Sequence, residues 1–199
     1  DMSMPLSAEH RHARVAELLR RAVARQSVPQ SLILCGPDTA GARSMAVALA
    51  QALNCPEQAD GDACGRCATC LRIASGDHYD VAIVEREDGA ATIKIEQLRE
   101  KVLGVVGYRP FEARKRVFII DPADAITEAG QDALLKTLEE PPPAAVIILV
   151  TAYPDSLART VQSRCRRLRL ERVEDDAAEV RPGDLDAALA FLQIGRAHV

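Results

Sequence analysis

The residues most able to do chemistry are cysteines spaced C-x8-C-x2-C-x2-C, which are Cys55, Cys64, Cys67 and Cys70. A C-x2-C step lets two thiolates turn onto one tetrahedral metal ion, and Gly65 keeps the loop compact. Sulfur ligands alone can close the coordination shell, so the spacing predicts a structural zinc site in an insert over residues 55–70. The alternative is a set of free surface thiols.

A second stretch, CGPDTAGARS, has the outline of a phosphate-binding loop without its reactive residues. Gly36 and Gly41 keep the spacing with which backbone N–H groups cradle phosphates. A working loop then carries Lys for the phosphates and Ser or Thr for magnesium, whereas this chain has Ala42 and Arg43. Ser44 lies one position further along the helix and points about 100° away. The loop retains a helix N-terminus that can bind an anion weakly.

The magnesium side of the predicted nucleotide site is altered as well. The strand VFIID ends in Asp121, as a Walker B strand does, but Pro122 follows where an ATPase carries the Glu that polarises water. These two independent losses predict a site that does not hydrolyse nucleotide. The alternative is that the glycines form only a turn, in a fold that never bound nucleotide.

Helices and short apolar strands alternate along the chain and must position these residues. The 3.6-residue period over 15–22 and 46–53 predicts amphipathic helices. Runs rich in β-branched residues predict parallel strands buried on both faces, at 32–35, 81–84, 117–120 and 146–150. We therefore predict a layered α/β fold. Its ligand crevice should lie at the carboxyl ends of the strands, where Gly36 and Asp121 both fall.

The stretch GQDALLKTLEEPPP, residues 130–143, predicts a further helix that begins after Thr127 as N-cap and ends at Pro141. Its inward-facing positions are Leu134, Leu135 and Leu138. Thr151 follows the strand at 146–150, and the tripeptide Ser163-Arg164-Cys165 comes shortly after it. Neither feature is specific when taken alone.

Composition limits the class of protein only loosely. The chain has 199 residues, 48% of them hydrophobic, and a net charge of -4 with 25 basic residues, which neither favours nor excludes a polyanionic partner. No apolar run is long enough to span a bilayer and no signal peptide is evident, so a cytoplasmic location with reduced thiols is expected.

The C-terminal part of the sequence changes character. Residues 172–181 are acidic and polar before apolar positions restart a helix, which indicates a domain boundary. The last residues, IGRAHV at 194–199, look like a non-native tail. We expect the natural protein to continue beyond Gln193.

Together these motifs resemble the clamp-loader subunits of the AAA+ class, and in particular the delta-prime family of bacterial DNA polymerase III. The resemblance rests on the ordered series of degenerate loop, cysteine insert, VFIID, ALLKTLEEPP, Thr151 and SRC, and covers roughly residues 18–170. It implies an AAA+ module over 1–170 and the start of a small helical lid domain over 171–193. In the family, a helical collar beyond the lid holds a pentamer together.

The resemblance also implies roles. Arg164 matches an arginine finger, which contributes positive charge to the γ-phosphate of ATP on a neighbouring subunit. Thr151 matches a sensor position, and Gly36, Gly41 and Asp121 belong to a nucleotide site that is inactive. ATP is then expected only on the neighbour. The implied partners are gamma/tau and delta subunits, with the sliding clamp and primed DNA, in a DNA-directed DNA polymerase (nucleotidyltransferase) holoenzyme.

Two rival functions stay open. An active gamma/tau-type ATPase requires a loop Lys and an acid after Asp121, and Ala42 and Pro122 oppose it. A zinc-ribbon nucleic-acid-binding module is favoured by the basic run Arg164, Arg166, Arg167 and Arg169. Against that module, the cysteine loop is acidic and has no aromatic side chain for base stacking; its acidic residues are Glu57, Asp60 and Asp62.

Overall fold

The computed structural model describes residues 4–171, which fold around a sheet of five parallel strands in the order β2-β3-β4-β1-β5. The strands are β1 Ser31–Cys35, β2 Val81–Val84, β3 Arg116–Ile120, β4 Ala145–Thr151 and β5 Arg166–Arg169. In the centre of the sheet, Ser31 pairs with Ile147 and Cys35 with Thr151. The predicted α/β fold, a parallel sheet flanked by helices, is thus confirmed.

One helix precedes β1, and the others connect successive strands, as parallel pairing requires. They are α1 Ala13–Ala24, α2 Thr39–Asn54, α3 Ala68–Ser75, α4 Ile95–Leu98, α5 Glu128–Glu139 and α6 Arg159–Gln162. Helix α4 continues into a π-helical turn over Arg99–Leu103. The predicted N-cap of α5 is confirmed, because the Thr127 side chain accepts the N–H of Gly130 at 3.1 Å, and the helix ends at Glu139, two residues before Pro141.

Apolar side chains on the two faces of the sheet form two separate cores. Because side chains alternate along a strand, Leu32 and Leu34 pack with α1 and α2, while Ile33 and Cys35 pack on the opposite face with α4, α5 and α6. Burial on both faces explains the continuous apolar sequences of the central strands. The site residues therefore extend from a rigid three-layer scaffold.

Both edge strands depart from the simple prediction. Strand β5 was not predicted, because its sequence RRLR reads as a basic run; its paired edge meets β1, while Arg167 and Arg169 are exposed. The middle residues of β2 are only half-buried because this strand is also at an edge. Leu135 of α5, predicted to face inward, is likewise only partly buried.

Two predictions fall on residues outside the described part of the chain. These are the continuation of the lid domain over 172–193 and the non-native tail at 194–199. Between residues 4 and 171, no helix combines the length and the apolar character needed to cross a membrane.

Candidate functional site

The glycine loop follows β1 at the carboxyl end of the sheet, as predicted. Gly36 has a φ of 153° and lies directly against the chain that leaves β5, where any β-carbon would collide with the carbonyl oxygen of Leu170. The Leu170 N–H donates to the Cys35 carbonyl oxygen at 2.7 Å. Gly36 is therefore required for a close approach of two backbone segments, independently of any ligand.

A carboxylate of the protein itself occupies the N-terminus of α2. Asp38 caps this helix by accepting the Gly41 N–H at 2.9 Å, and its other oxygen accepts from Nε2 of His12 at 2.9 Å. The hydrogen bond from buried His12, followed by that from Gly41, lowers the pKa of Asp38 below its usual value. The N–H that a phosphate-binding loop offers to a phosphate is thus already bound by an anion.

Arg43 forms the second ionic contact at this end of the sheet. Its Nη1 lies 3.1 Å from Oδ2 of Asp121, which follows β3, and its Nη2 contacts the carboxylate of Glu85, which follows β2. Burial acts to lower the pKa of Arg43, but the two carboxylates outweigh it and raise the pKa. The guanidinium therefore stays charged between two strand-end acids, at the position where an active loop has its Ser or Thr.

The environment of Asp121 is consistent with this arrangement. Burial raises the pKa of Asp121, and the hydrogen bond from Arg43 offsets only part of that rise. A half-buried carboxylate of this kind needs a cationic partner to remain ionised. In an ATPase this partner is magnesium, and here it is Arg43.

Thr151 lies at the end of β4, fully buried. Its hydroxyl donates to Oδ1 of Asp124 at 2.5 Å and accepts the N–H of Tyr153 at 2.9 Å. The hydroxyl at the predicted sensor position is therefore occupied by contacts within the protein.

A cavity of about 670 Å³ also opens at the carboxyl end of the sheet. Its lining includes Gly36, Pro37, Tyr153 and Leu170 but not the ionic residues Asp38, Arg43 and Asp121. The cavity and the ion pairs consequently occupy different parts of the crevice.

Arg164 lies between α6 and β5, at the amino end of the sheet. Because β5 runs parallel to β1, with Arg166 beside Leu32 and Arg169 beside Cys35, it begins at the end of the sheet away from the glycine loop. At roughly 3.3 Å per residue, the strand separates the two by at least about 10 Å. Arg164 and the loop of the same chain are thus at opposite ends of the sheet.

The four cysteines of the predicted metal site are brought together. All Sγ atoms of Cys55, Cys64, Cys67 and Cys70 lie within 4.8 Å of one another, and those of Cys55 and Cys67 are 3.9 Å apart. A tetrahedral zinc ion with bonds of about 2.3 Å would place its sulfur ligands about 3.8 Å apart. The cluster therefore has the size that such an ion requires.

Backbone hydrogen bonds orient the sulfur atoms. The N–H of Cys64 points at Cys55 Sγ at 3.4 Å, that of Cys67 at Cys64 Sγ at 3.3 Å, and that of Cys70 at Cys67 Sγ at 3.4 Å. Burial raises the pKa of the Cys70 thiol, and a bound cation is the natural means of deprotonating it. The donor set fits a metal ion whose role is structural.

The cysteine insert is hydrogen-bonded to three neighbouring segments. Arg114, in the loop before β3, donates to the Cys55 carbonyl oxygen at 2.7 Å, and Gln51 of α2 donates to that of Cys70 at 2.8 Å. The buried Asp62 accepts the N–H groups of Leu6 and Ser7, both at 2.9 Å. A metal in the insert would therefore stabilise three neighbouring segments.

Sequence reasoning missed several residues of these sites. It treated Arg43 only as the loss of a hydroxyl, and it assigned no role to His12, Asp38 or Glu85. The acids following two apolar strands, Glu85 and Asp121, are a signal that a cation should lie between them. The contact of His12 with Asp38 joins residues 26 positions apart and has no sequence signal.

Comparison with known proteins places these features in a family. The sequence model of a family described as "DNA polymerase III, delta subunit" matches residues 11–174. The DNA polymerase III subunit delta' of Pseudomonas aeruginosa is 37% identical over 67% of this chain and 40% of its own length. The subunit tau of Bacillus subtilis is 30% identical over 82% of this chain and 28% of its own length.

A solved structure supports the same fold. A DNA polymerase III gamma subunit-related protein from Thermotoga maritima superposes with a TM-score of 0.57 at 23% identity, over 85% of this chain and 47% of its own. The chain spans less than half the length of each of these relatives.

Proposed function

Because this chain belongs to the DNA polymerase III clamp-loader family, we propose that it is the delta-prime type of subunit, which does not hydrolyse ATP. In this role it assembles with gamma/tau and delta subunits and helps to load the sliding clamp onto primed DNA. Its own contribution to catalysis is Arg164, supplied in trans to ATP on a neighbouring subunit.

The observation that carries the proposal is the ion pair of Arg43 with Asp121. A guanidinium lies where magnesium would bind, and the Asp38 carboxylate takes the N–H of the second loop glycine. Mg-ATP would have to displace a cation and an anion of the protein itself. Ala42 is fully buried in place of the phosphate-binding Lys, and Pro122 is in place of the catalytic Glu.

The position of Arg164 supports action in trans. It lies at the opposite end of the sheet from the glycine loop of its own chain, with 28% of its side chain exposed. At that position the guanidinium is too far from the glycine loop of its own chain, so the ATP phosphate that it contacts must be bound by another chain. Stabilising charge on the transferred phosphoryl group is the usual function of such an arginine.

The proposal is tested by reconstituting the complex with full-length gamma/tau and delta subunits and this subunit at its natural length. We expect no hydrolysis by this subunit alone and a fall of at least about 100-fold in DNA-stimulated hydrolysis by the complex with Arg164→Ala. The matched control is Arg159→Ala, an exposed arginine of α6 that lies outside the basic run and the cavity. It should leave the rate within about twofold, because surface substitutions usually have small effects.

Three results would each contradict one part of the proposed function. Hydrolysis by this subunit alone would favour a gamma/tau-type ATPase. An unchanged rate with Arg164→Ala in a complex of normal composition would remove the arginine finger. Salt-sensitive DNA binding by the subunit alone would revive the nucleic-acid-binding module.

We further propose that the cysteine cluster holds a structural zinc ion. Thiolate ligands in a tetrahedral set favour zinc among the common biological metals, and four sulfurs leave no open position for catalysis. The cluster lies among segments that it would hold together, namely α2, α3 and the loop before β3.

The zinc proposal predicts a loss of metal and stability with Cys67→Ser. This change removes one thiolate ligand but keeps a hydroxyl that can still cap α3, so zinc content should fall from about one equivalent and the melting temperature should drop by several degrees, roughly 5 °C or more, through loss of the metal. The control is Cys165→Ser, a cysteine outside the cluster. Equal zinc content in the Cys67→Ser variant and the wild type, measured by elemental analysis, would contradict the proposal.

A further inference from the structure

Arg164 is held by a glutamate of helix α5 and by a backbone carbonyl group of α6. The Nε of Arg164 lies 3.3 Å from Oε2 of Glu139, the last residue of α5, and its Nη1 donates to the Thr160 carbonyl oxygen at 2.8 Å. Glu139 belongs to the stretch LLKTLEEPP, and Arg164 to SRC. The two motifs of the chain are thus in direct contact.

We propose that Glu139 is a positioning residue that orients Arg164 for its action in trans. The inference rests on the proposed function of Arg164 and adds a residue to it. Nothing in the sequence pairs these two positions, which are 25 residues apart.

The geometry of the guanidinium favours positioning over simple neutralisation. Glu139 binds Nε, on the side nearest the backbone, and Thr160 binds Nη1. Neither contact uses Nη2, so the outer edge of the planar fork keeps donors for an oxygen of a phosphate. A carboxylate on Nε fixes the rotation of the fork about its last torsions while leaving that edge free.

Helix α5 also fixes the segment that carries Arg164. The Oε1 of Gln131, in the first half of α5, accepts the N–H of Ala158 at 2.8 Å, immediately before α6. Glu139, at the other end of α5, contacts Arg164 immediately after α6. Helix α5 therefore contacts the chain on both sides of the short α6. The distance between Gln131 and Glu139 along α5 then determines where the guanidinium lies.

The ion pair contributes to orientation more than to stability. The Glu139 side chain is 62% exposed, and pairs of this kind contribute little to folding because water screens them. Loss of Glu139 should therefore leave the fold intact while the guanidinium samples more rotamers. The effect on the reaction can then be measured without a confounding loss of structure.

The test is a double-mutant cycle in the reconstituted complex, with Glu139→Gln, Arg164→Ala and the pair. Glu139→Gln should lower kcat for ATP by about threefold to tenfold with KM nearly unchanged, since an arginine finger acts in the transition state. In the Arg164→Ala background, Glu139→Gln should have no further effect. Glu140→Gln is the matched control: it changes the adjacent exposed acid, and kcat should stay within about twofold.

The contrary outcomes separate this inference from the function on which it rests. If Arg164→Ala lowers kcat but Glu139→Gln leaves it unchanged, raises it, or lowers it equally in the Arg164→Ala background, the positioning role is overturned and the arginine finger stands. If Arg164→Ala has no effect, both fall. Equal melting temperatures of the Glu139→Gln and Glu140→Gln variants verify that folding is not the cause.

Discussion

The two arginines at opposite ends of the sheet have opposite environments. Arg43 at the carboxyl end bridges two acids, and 32% of its side chain is exposed. Arg164 at the amino end has a similar exposure of 28%, but within residues 4–171 a single carboxylate contacts it, that of Glu139, which is 62% exposed. Exposure therefore does not distinguish the two arginines. Their partners do, because Arg43 contacts two carboxylates, and one of them, Asp121, is only 16% exposed.

Under the proposed function, this difference gives the two ends of one sheet different roles. At the carboxyl end, Arg43 and Asp38 supply the cation and the anion that Mg-ATP would otherwise bring. The site then contributes to stability. At the amino end, the charge of Arg164 is only partly compensated, so an external anion can still bind it.

The comparison predicts opposite results when each arginine is replaced by lysine. A single ammonium cannot reproduce the planar fork. In the reconstituted complex, Arg164→Lys should lower the rate of ATP hydrolysis by at least about tenfold, while Arg43→Lys should change it by less than about twofold.

Stability of the isolated subunit should show the reverse order. Arg43→Lys is expected to cost about 1 kcal/mol, because it breaks a bridge between two carboxylates, and Arg164→Lys less than about 0.5 kcal/mol. Denaturant unfolding of both variants measures this difference. A large loss of complex activity with Arg43→Lys would show that the carboxyl end takes part in the reaction and would break the comparison.

The parts of the structure that depend on local pattern could be predicted from the sequence. Buried strands such as β4 are continuous apolar runs, and the C-x2-C spacing fixes how Cys64 and Cys67 turn toward each other. Strand β5 escaped prediction because at an edge the arginines of RRLR can point to solvent, so its composition resembles that of a loop.

The ionic contacts could not be predicted for a different reason. They join residues that are distant in the sequence, as Arg43 and Asp121 are, and a charge pattern does not state which acid a given arginine will meet. The sequences of the loop and of the end of β3 indicated what was missing, namely Lys and Ser or Thr in the loop and Glu after Asp121. Only the fold indicates what replaced them.

The last prediction removes the cation of the carboxyl end. In Arg43→Ser, Asp121 and Glu85 lose their common partner, and a hydroxyl returns to the position where an active loop has one. We expect a loss of about 1–3 kcal/mol in unfolding free energy, since a half-buried carboxylate is left unpaired.

Magnesium should recover part of this loss, because two carboxylates and a hydroxyl are oxygen ligands of the kind it prefers. At about ten times its dissociation constant, a bound ion adds about 1.4 kcal/mol, so magnesium at about 10 mM should raise the melting temperature of the variant by a few degrees. Sodium chloride at equal ionic strength should not. Arg86→Ser, which removes the exposed arginine next to Glu85, is the matched control and should not respond to magnesium. If both variants respond equally to magnesium, Arg43 does not occupy a cation site. It is then an ordinary ion-pair partner, as Arg164 is at the amino end of the sheet.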